Sequence, residues 1–332
     1  MTVDGSVLPR RTSHTPPIAG ALLVVAVLAA RFGGLGDVAL IETFVVIFAS
    51  IVIEALPFVL LGATVSAAIE VFVPDRAFAR VGRLPLGLQL PAAALGGFAF
   101  PVCECGSVPV ARRLISRGMH PAAGLAFMLA SPILNPVVLI STYVAYSGRG
   151  FAMEMVLGRA GLGLILALVA GWAIGADEAG ELLRPRPGDA HDHSAAESNK
   201  GRAFFDHLGN DFFFMGRFVV LGAALAAALQ TAIPQDIVSG IARTPIIGAL
   251  SLMGVAFVLS LCSEADAFVA VSFVQFPMGS QLAFLVFGPV VDAKLAFLYG
   301  ATFRRRFVLR LTVVAVPVVL AGSLWFEALV GT

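Results

Sequence analysis

Long uninterrupted apolar segments constrain this sequence more than any other feature. A helix crosses a bilayer with about 20 mostly apolar residues, and fewer suffice when its polar ends reach the headgroups. Only 13% of the 332 residues are charged, whereas soluble domains carry roughly 25%. A chain with so few polar residues cannot form a soluble surface, so we expect an all-α integral membrane protein. The clearest apolar runs are residues 18–30, 38–50, 157–174, 218–233 and 309–326.

The distribution of arginines predicts how the apolar segments are oriented, because cytoplasmic connections carry an excess of Lys and Arg. We expect a multi-pass protein of the inner (plasma) membrane, with a cytoplasmic amino terminus, seven full spans and an external carboxyl terminus. The predicted parts are a cytoplasmic tail (1–17), a first span (18–36), transmembrane repeat 1 (37–174), a cytoplasmic hydrophilic linker (175–207) and transmembrane repeat 2 (208–332). The basic clusters are Arg10 and Arg11; Arg76, Arg80 and Arg83; Arg112, Arg113 and Arg117; Arg184, Arg186, Lys200 and Arg202; and Arg304, Arg305 and Arg306.

Two apolar units, residues 84–117 and 246–278, are interrupted near their middle by polar residues, and the first also by Pro101. Basic clusters lie on both sides of the first unit, which is therefore expected to enter and leave from the cytoplasm as a re-entrant hairpin. A single broken span is the alternative for each unit. It would flip the orientation of every later segment and would fit the arginine distribution less well.

The two halves of the chain match each other in sequence. Because matching segments begin from opposite sides of the membrane in the predicted orientation, the repeats have inverted topology. Inverted repeats are common in secondary transporters, whose sites lie near the midplane where discontinuous helices meet. The matched positions are 60–63 with 220–223, 103–105 with 262–264, 125–127 with 282–284, Pro132 with Pro289, and Asn135 with Asp292.

The segment Cys103-Glu104-Cys105 lies between Pro101 and Gly106, where we expect a helix to break. Two thiols at positions i and i+2 point to different faces of a helix, but in an extended segment they converge on one ligand. Thiolates are soft donors that suit thiophilic centres, and Cys262 would add a third thiol. The alternative is that these cysteines are small buried hydrophobic residues.

Ionisable and polar side chains at the helix breaks complete the candidate site, because an unpaired ionisable group inside a bilayer is costly and suggests function. The carboxyl groups are expected to take protons or cations during transport, or else to cap half-helices or pair with arginines such as Arg112. Asp292 has Lys294 as a nearby partner. For the amide side chain of Asn135, the alternative to substrate binding is structural hydrogen bonding. The predicted substrate-binding residues are Cys103, Glu104, Cys105, Ser131, Asn135, Cys262, Glu264, Asp266 and Asp292.

Other features exclude several function classes. A net charge of +1 gives no reason to expect a nucleic-acid partner, and three cysteines do not make a disulfide framework. The sequence has no Walker loop, zinc-protease motif or nucleophile elbow, so we expect no enzyme, no cofactor and no resident metal. The expected partners are a small-molecule solute and the lipid bilayer, and a homo-oligomer is left open. The tract His191-Asp192-His193 is typical of metal binding, but its proline- and serine-rich surroundings favour a solvated linker.

Three motifs resemble a family of predicted permeases that includes the ArsP-type organoarsenical efflux proteins. They are residues 54–62 (EALPFVLLG), 100–109 (FPVCECGSVP) and 129–136 (LASPILNP). The likeness covers most of the chain after the first span and implies a bacterial inner-membrane permease. For the ArsP-type members it implies export of trivalent organoarsenicals, whose arsenic binds thiols. The second half of this chain has one thiol, Cys262, where the first half has two.

The leading hypothesis is therefore a permease that moves a small, thiophilic solute by alternating access. Two alternatives belong to other classes of protein. Cys103 and Cys105 could form a membrane thiol–disulfide couple, or the chain could be a membrane subunit whose soluble partner docks at the linker, residues 175–207.

Overall fold

A computed structural model of the chain describes residues 38–74, 76, 84–99, 102–176, 179–185, 200–232, 245–304 and 306–330. The predicted first span and the tract His191-Asp192-His193 lie outside these residues. The helices are α1 (Val38–Phe72), α2 (Leu86–Ala99), α3 (Glu104–Ser116), α4 (Pro121–Leu134), α5 (Pro136–Tyr146), α6 (Ala152–Ile174), α7 (Ala179–Leu182), α8 (Lys200–Ala232), α9 (Pro245–Leu259), α10 (Asp266–Ala270), α11 (Met278–Phe287), α12 (Ala293–Thr302) and α13 (Arg306–Val330).

Five helical segments within the described residues are long and apolar enough to cross a membrane: Ile41–Phe72, Pro121–Arg149, Ala152–Ile174, Lys200–Thr231 and Arg306–Val330. They support the predicted all-α, multi-pass membrane architecture. Residues 281–300, which we counted among the seven predicted full spans, are instead divided between the short helices α11 and α12. The interruption contains Pro289, which has no backbone N–H to donate to a helix.

Apolar side chains both fill the interior of the molecule and cover its outside. Helix α4 is buried along its whole length, and α11 is buried from Gly279 to Phe287. Helix α4 packs against α2, α3 and α6, and α11 packs against α9 and α13. Helices α1, α6 and α13 instead expose large apolar residues such as Ile53, Leu157 and Leu309, at 71, 63 and 66%. An apolar outer surface of this extent is suited to contact with lipid.

Two close helix crossings depend on glycine. Helix α1 crosses α3 at Gly62 and Gly106, and a Cβ atom on Gly62 would overlap the backbone of Gly106. Helix α8 crosses α12 at Gly222, where an added Cβ would lie 2.8 Å from backbone atoms of Lys294. Small residues allow helix backbones to approach closely in membranes. The two crossings position the first turns of α3 and α12, which carry Glu104 and Lys294.

Candidate functional site

The candidate site lies where breaks in three helical units come together. Cys103 is the residue that precedes α3, and its backbone is extended. A second break separates α9 from α10, and it begins at Ser260, whose φ of 47° is the only positive value at a described non-glycine residue. A third break separates α11 from α12. The backbone N–H of Ala293 donates to Ser260 Oγ (3.2 Å), so the second and third breaks are directly connected.

A buried ion pair joins the first break to the third. Lys294 Nζ donates to Glu104 Oε1 at 2.9 Å, and only 3% and 1% of the two side chains are exposed. Asp292 also lies near the ammonium, at 3.8 Å from Lys294 Nζ. The same carboxylate accepts the backbone N–H of Leu295 and so caps α12. Both carboxylates lie at helix amino termini, where the helix dipole stabilises negative charge.

A second buried ion pair joins α6 to the start of α10. The guanidinium of Arg159 is fully buried and donates to both carboxylate oxygens of Asp266, at 2.8 and 2.7 Å. Two-pronged pairs of this kind are among the stronger hydrogen-bonded contacts in proteins. Arg159 also donates to Thr142 Oγ1 (2.9 Å) and to the backbone oxygen of Ser263 (3.2 Å). Ser263 Oγ in turn donates to Glu104 Oε2 (2.9 Å), which connects the two ion pairs.

Three thiols lie beside this charged network. Cys103, Cys105 and Cys262 are all buried and unpaired by disulfides, and the Cys103 thiol is in contact with the other two. The thiol of Cys262 donates to Glu264 Oε2 at 2.7 Å and also contacts Glu54 on α1. The cluster therefore combines soft sulfur donors with carboxylates from α1 and from the second break.

Part of this cluster has the geometry of a ligand set. The sulfur atoms of Cys103 and Cys262 and a carboxylate oxygen of Glu104 lie within 4.8 Å of one another, in the buried interior. Two sulfurs and one oxygen at this spacing can contact a single ion or a single metalloid atom. Their softness favours a thiophilic centre over magnesium or calcium.

Most of the predicted site residues are brought together here, but two have local contacts instead. Ser131 Oγ donates to the backbone oxygen of Phe127 within α4 (2.8 Å), as a hydroxyl often does inside a helix. Asn135 Oδ1 accepts the backbone N–H of Val137 (2.9 Å) and so caps α5. The recorded hydrogen bonds of these two buried side chains therefore support helices α4 and α5. The residues at the convergence are Cys103, Glu104, Cys105, Cys262, Glu264, Asp266 and Asp292.

Sequence reasoning missed several members of the network. Arg159 interrupts the apolar run of α6, and a charged residue in a predicted span is a signal for function that was available from the sequence. Glu54 gave the same kind of signal in the apolar run of α1. Thr142 carried no signal, because hydroxyl residues are common in membrane helices. Ser263 lies in the matched segment 262–264, but its partner Glu104 is 159 positions away.

Comparisons with known proteins agree with the membrane architecture. The family model ArsP_1, described as "Predicted permease", matches residues 40–327. The chain is similar to UPF0718 protein YcgR of Bacillus subtilis, at 42% identity over 84% of this chain and 95% of that protein. It is also similar to a Streptococcus mutans protein named as a predicted two-component membrane permease complex subunit, at 34% identity over 80% of this chain and 88% of that protein. No solved structure matches the chain. The extent of the family match and of both relatives shows that this chain belongs to the predicted permease family, whose description is that of a membrane transporter rather than an enzyme.

Proposed function

We propose that this permease moves a small thiophilic solute, of the class of trivalent organoarsenicals, by alternating access between two inverted repeats. The observation that carries the proposal is the set of sulfur and oxygen atoms from Cys103, Glu104 and Cys262, buried together where broken helices meet. Broken helices that meet inside a bundle are the usual setting of a transporter's substrate site.

The cations near the thiols are paired with carboxylates, and this supports a solute that is held by sulfur. Lys294 faces Glu104 and Asp292, and Arg159 faces Asp266, so both cations are already paired with carboxylates. The thiols of Cys103 and Cys262 have no such ionic partner and supply covalent affinity for a soft atom. When the Cys262 sulfur replaces a hydroxide on the trivalent arsenic, the thiol proton leaves with that hydroxide as water, and Glu264, at 2.7 Å from Cys262, is placed to relay the proton.

The repeat arrangement is supported by the matched glycines of α1 and α8, although their partner helices, α3 and α12, follow breaks that the internal match does not pair. Gly62 and Gly222 occupy matched positions in the halves 37–174 and 208–332, and each is contacted by a helix that begins at a break.

We extend the proposal to the remaining predicted features: a cytoplasmic amino terminus, a location in the inner membrane, re-entrant units at 84–117 and 246–278, and a cytoplasmic linker at 175–207. Single cysteines at Arg117, Gly148, Ala190 and the carboxyl terminus should react with an impermeant reagent from inside, outside, inside and outside, and any other order contradicts this topology.

The decisive experiment is uptake of a trivalent methylarsenical into everted membrane vesicles. Wild type should accumulate the compound, whereas Cys103→Ser and Cys262→Ser should reduce accumulation at least tenfold, since each loses a sulfur ligand. Ser131→Ala serves as the matched control, because the hydrogen bond of its hydroxyl, to Phe127, stays within its own helix. Absence of uptake by wild type would remove the arsenical from the proposal. Reversible oxidation of Cys103 and Cys105 without solute flux would favour the thiol–disulfide alternative.

A second candidate function is supported by the name of the Streptococcus mutans relative, which describes a subunit of a two-component complex. In that case the chain would need a soluble or membrane partner, with the linker as the docking segment. Deleting residues 186–199 should then abolish uptake into vesicles but leave arsenical binding by the purified chain unchanged. Uptake that survives the deletion would argue against a partner docked at the linker.

A further inference from the structure

Away from the thiols, an open cavity of about 660 Å³ lies at the arginine-rich end of the molecule. It is bounded by the end of α6, the segment from α7 to residue 185, and the start of α13. The lining residues are Ile174, Glu181, Leu182, Arg184, Pro185, Arg304, Arg306, Phe307 and Arg310. None of them belongs to the candidate substrate site.

The lining of this cavity is strongly basic. Four of its residues are arginines and one is a glutamate, which gives the described lining a net charge of +3. Arg306 and Arg310 are one helical turn apart, so both lie on the same face of α13. Guanidinium groups match the geometry of phosphate oxygens and bind them through paired hydrogen bonds.

The arginines from the other two segments are held on a connected backbone. Leu183 and Phe303 form an antiparallel bridge. The backbone N–H of Arg184 donates to the oxygen of Thr302, and that of Arg304 donates to the oxygen of Leu182, both at 3.0 Å. The backbone is therefore fixed before any ligand arrives, which lowers the entropy cost of binding.

The position of the cavity indicates the source of its ligand. Its apolar part is formed by Ile174 and Phe307, at the ends of two membrane-length helices. Trp172 is 67% exposed two residues before α6 ends, and Leu309 is 66% exposed on the first turn of α13. Exposed tryptophan is typical of the headgroup region. The cavity thus lies beside the surface that contacts lipid.

We propose that this cavity binds a phosphate-bearing anion, supplied by the headgroup of an anionic phospholipid. Basic pockets between membrane helices on the cytoplasmic side are suited to such headgroups. The bound phosphate would bridge the arginines of the α12–α13 junction and Arg184 at the start of the linker. An anionic lipid would in this way add to the backbone contacts that already hold residues 182–184 against the second half of the protein.

Native mass spectrometry of the purified full chain, titrated with phosphatidylglycerol or phosphatidylcholine, tests this proposal. Wild type should bind phosphatidylglycerol at least tenfold more tightly. The double variant Arg306→Gln/Arg310→Gln should weaken that binding by about 25-fold, or about fivefold per arginine. Arg306→Lys/Arg310→Lys should retain most of the binding, and the single variant Arg310→Gln gives an intermediate value if the double variant does not fold. Arg202→Gln on α8 is the matched control for loss of one positive charge.

A parallel titration with inorganic phosphate separates the two sources of the anion. If phosphate raises the unfolding temperature of wild type but not of the double variant, while the lipid shows no preference, the phosphate site stands and its ligand is a free solute. The proposal is overturned if the double variant binds phosphatidylglycerol as wild type does and phosphate stabilises neither. It is also overturned if Arg202→Gln weakens lipid binding as much as Arg310→Gln does.

Discussion

Lys294 is the side chain on which most of the buried charge of the site depends. Its ammonium contacts Glu104 at 2.9 Å and lies 3.8 Å from Asp292, and all three residues are buried. Burying ions is costly, so an ion pair of this kind adds little stability, but removing one partner leaves an uncompensated charge in the interior. Lys294 is therefore the cation that these two buried carboxyl groups share.

Replacing Lys294 with methionine should reduce the free energy of unfolding by about 3–5 kcal/mol, because Glu104 then loses its cation. The double variant Lys294→Met/Glu104→Gln should recover a large part of the loss. Thermal unfolding of the purified chain in detergent measures both, with the exposed Lys200→Met as control. This account of the pair would be contradicted if the double variant lost as much stability as Lys294→Met and Glu104→Gln lose separately when their losses are added.

At the residue scale, the sequence predicted the chemistry of the site better than its connections. Cys103, Glu104 and Cys262 were predicted from their positions at helix breaks, and they lie together. Asn135 was chosen by the same rule, but its recorded bond caps its own helix. Arg159 was missed although its charge interrupts an apolar run, and its pairing with Asp266, 107 positions away, had no local signal. A local sequence pattern identifies a charged residue that is costly to bury in an apolar span. It does not identify the distant residue that pairs with that charge.

At the scale of single elements, the crossing of α1 and α3 fixes where the thiol-bearing segment begins. Gly62 and Gly106 are in backbone contact, so α3 starts at a set distance from α1. Glu54, two turns before Gly62 on α1, is placed beside Cys262 by the same helix. The crossing therefore helps to set where the Glu54 carboxyl group lies relative to the thiols.

The substitution Gly62→Ala should reduce the free energy of unfolding by about 1–3 kcal/mol, since the added methyl group overlaps a backbone that cannot move independently. Gly161→Ala on α6 is the matched control, because open space surrounds that position and a methyl group meets no atom. Thermal unfolding of the two variants side by side makes the measurement. Equal unfolding temperatures would mean that the crossing relaxes and does not constrain α3.

Hydropathy predicted the long apolar helices, but not how elements pair in space. The sequence alignment matches residues 103–105 with 262–264. In the structure, Gly222 on α8 is contacted by α12, which follows the later break of the second half at 288–292. An alignment compares residues in order along the chain, whereas helix packing in a membrane selects partners by shape. For this reason the sequence did not predict that α8 packs against α12.

At the scale of the whole molecule, an ion network ties the two halves together at the arginine-rich end. Arg113 contacts Glu70 at 3.1 Å and Asp211 at 3.2 Å, and so joins α3 to both α1 and α8. Arg117 contacts Glu70 at 3.0 Å, and Ser66 Oγ donates to Asp211 at 2.7 Å. Helices from both halves are thereby held together on the side that the arginines predict to be cytoplasmic.

Arg113→Gln removes two partly exposed ion pairs, so the helices at this end should separate more readily. A maleimide should then modify the site thiols about two- to tenfold faster. The effect should appear in everted vesicles and not when the reagent is applied from the other side. Arg217→Gln is the matched control, because that exposed arginine stacks on Phe214 and Phe218 of its own helix. An unchanged rate in Arg113→Gln would show that the network does not keep this end closed.

Both buried ion pairs cross between the halves: Glu104 with Lys294, and Arg159 with Asp266. During synthesis, the first half therefore enters the membrane with one anion and one cation whose partners do not yet exist. At about 5–20 residues per second, the 190 residues from Glu104 to Lys294 take about 10–40 s to translate. For that interval the nascent chain exposes two unpaired charges to the insertion machinery and to membrane proteases. A chain that terminates before residue 266 would keep Glu104 and Arg159 in its first half without either of their partners.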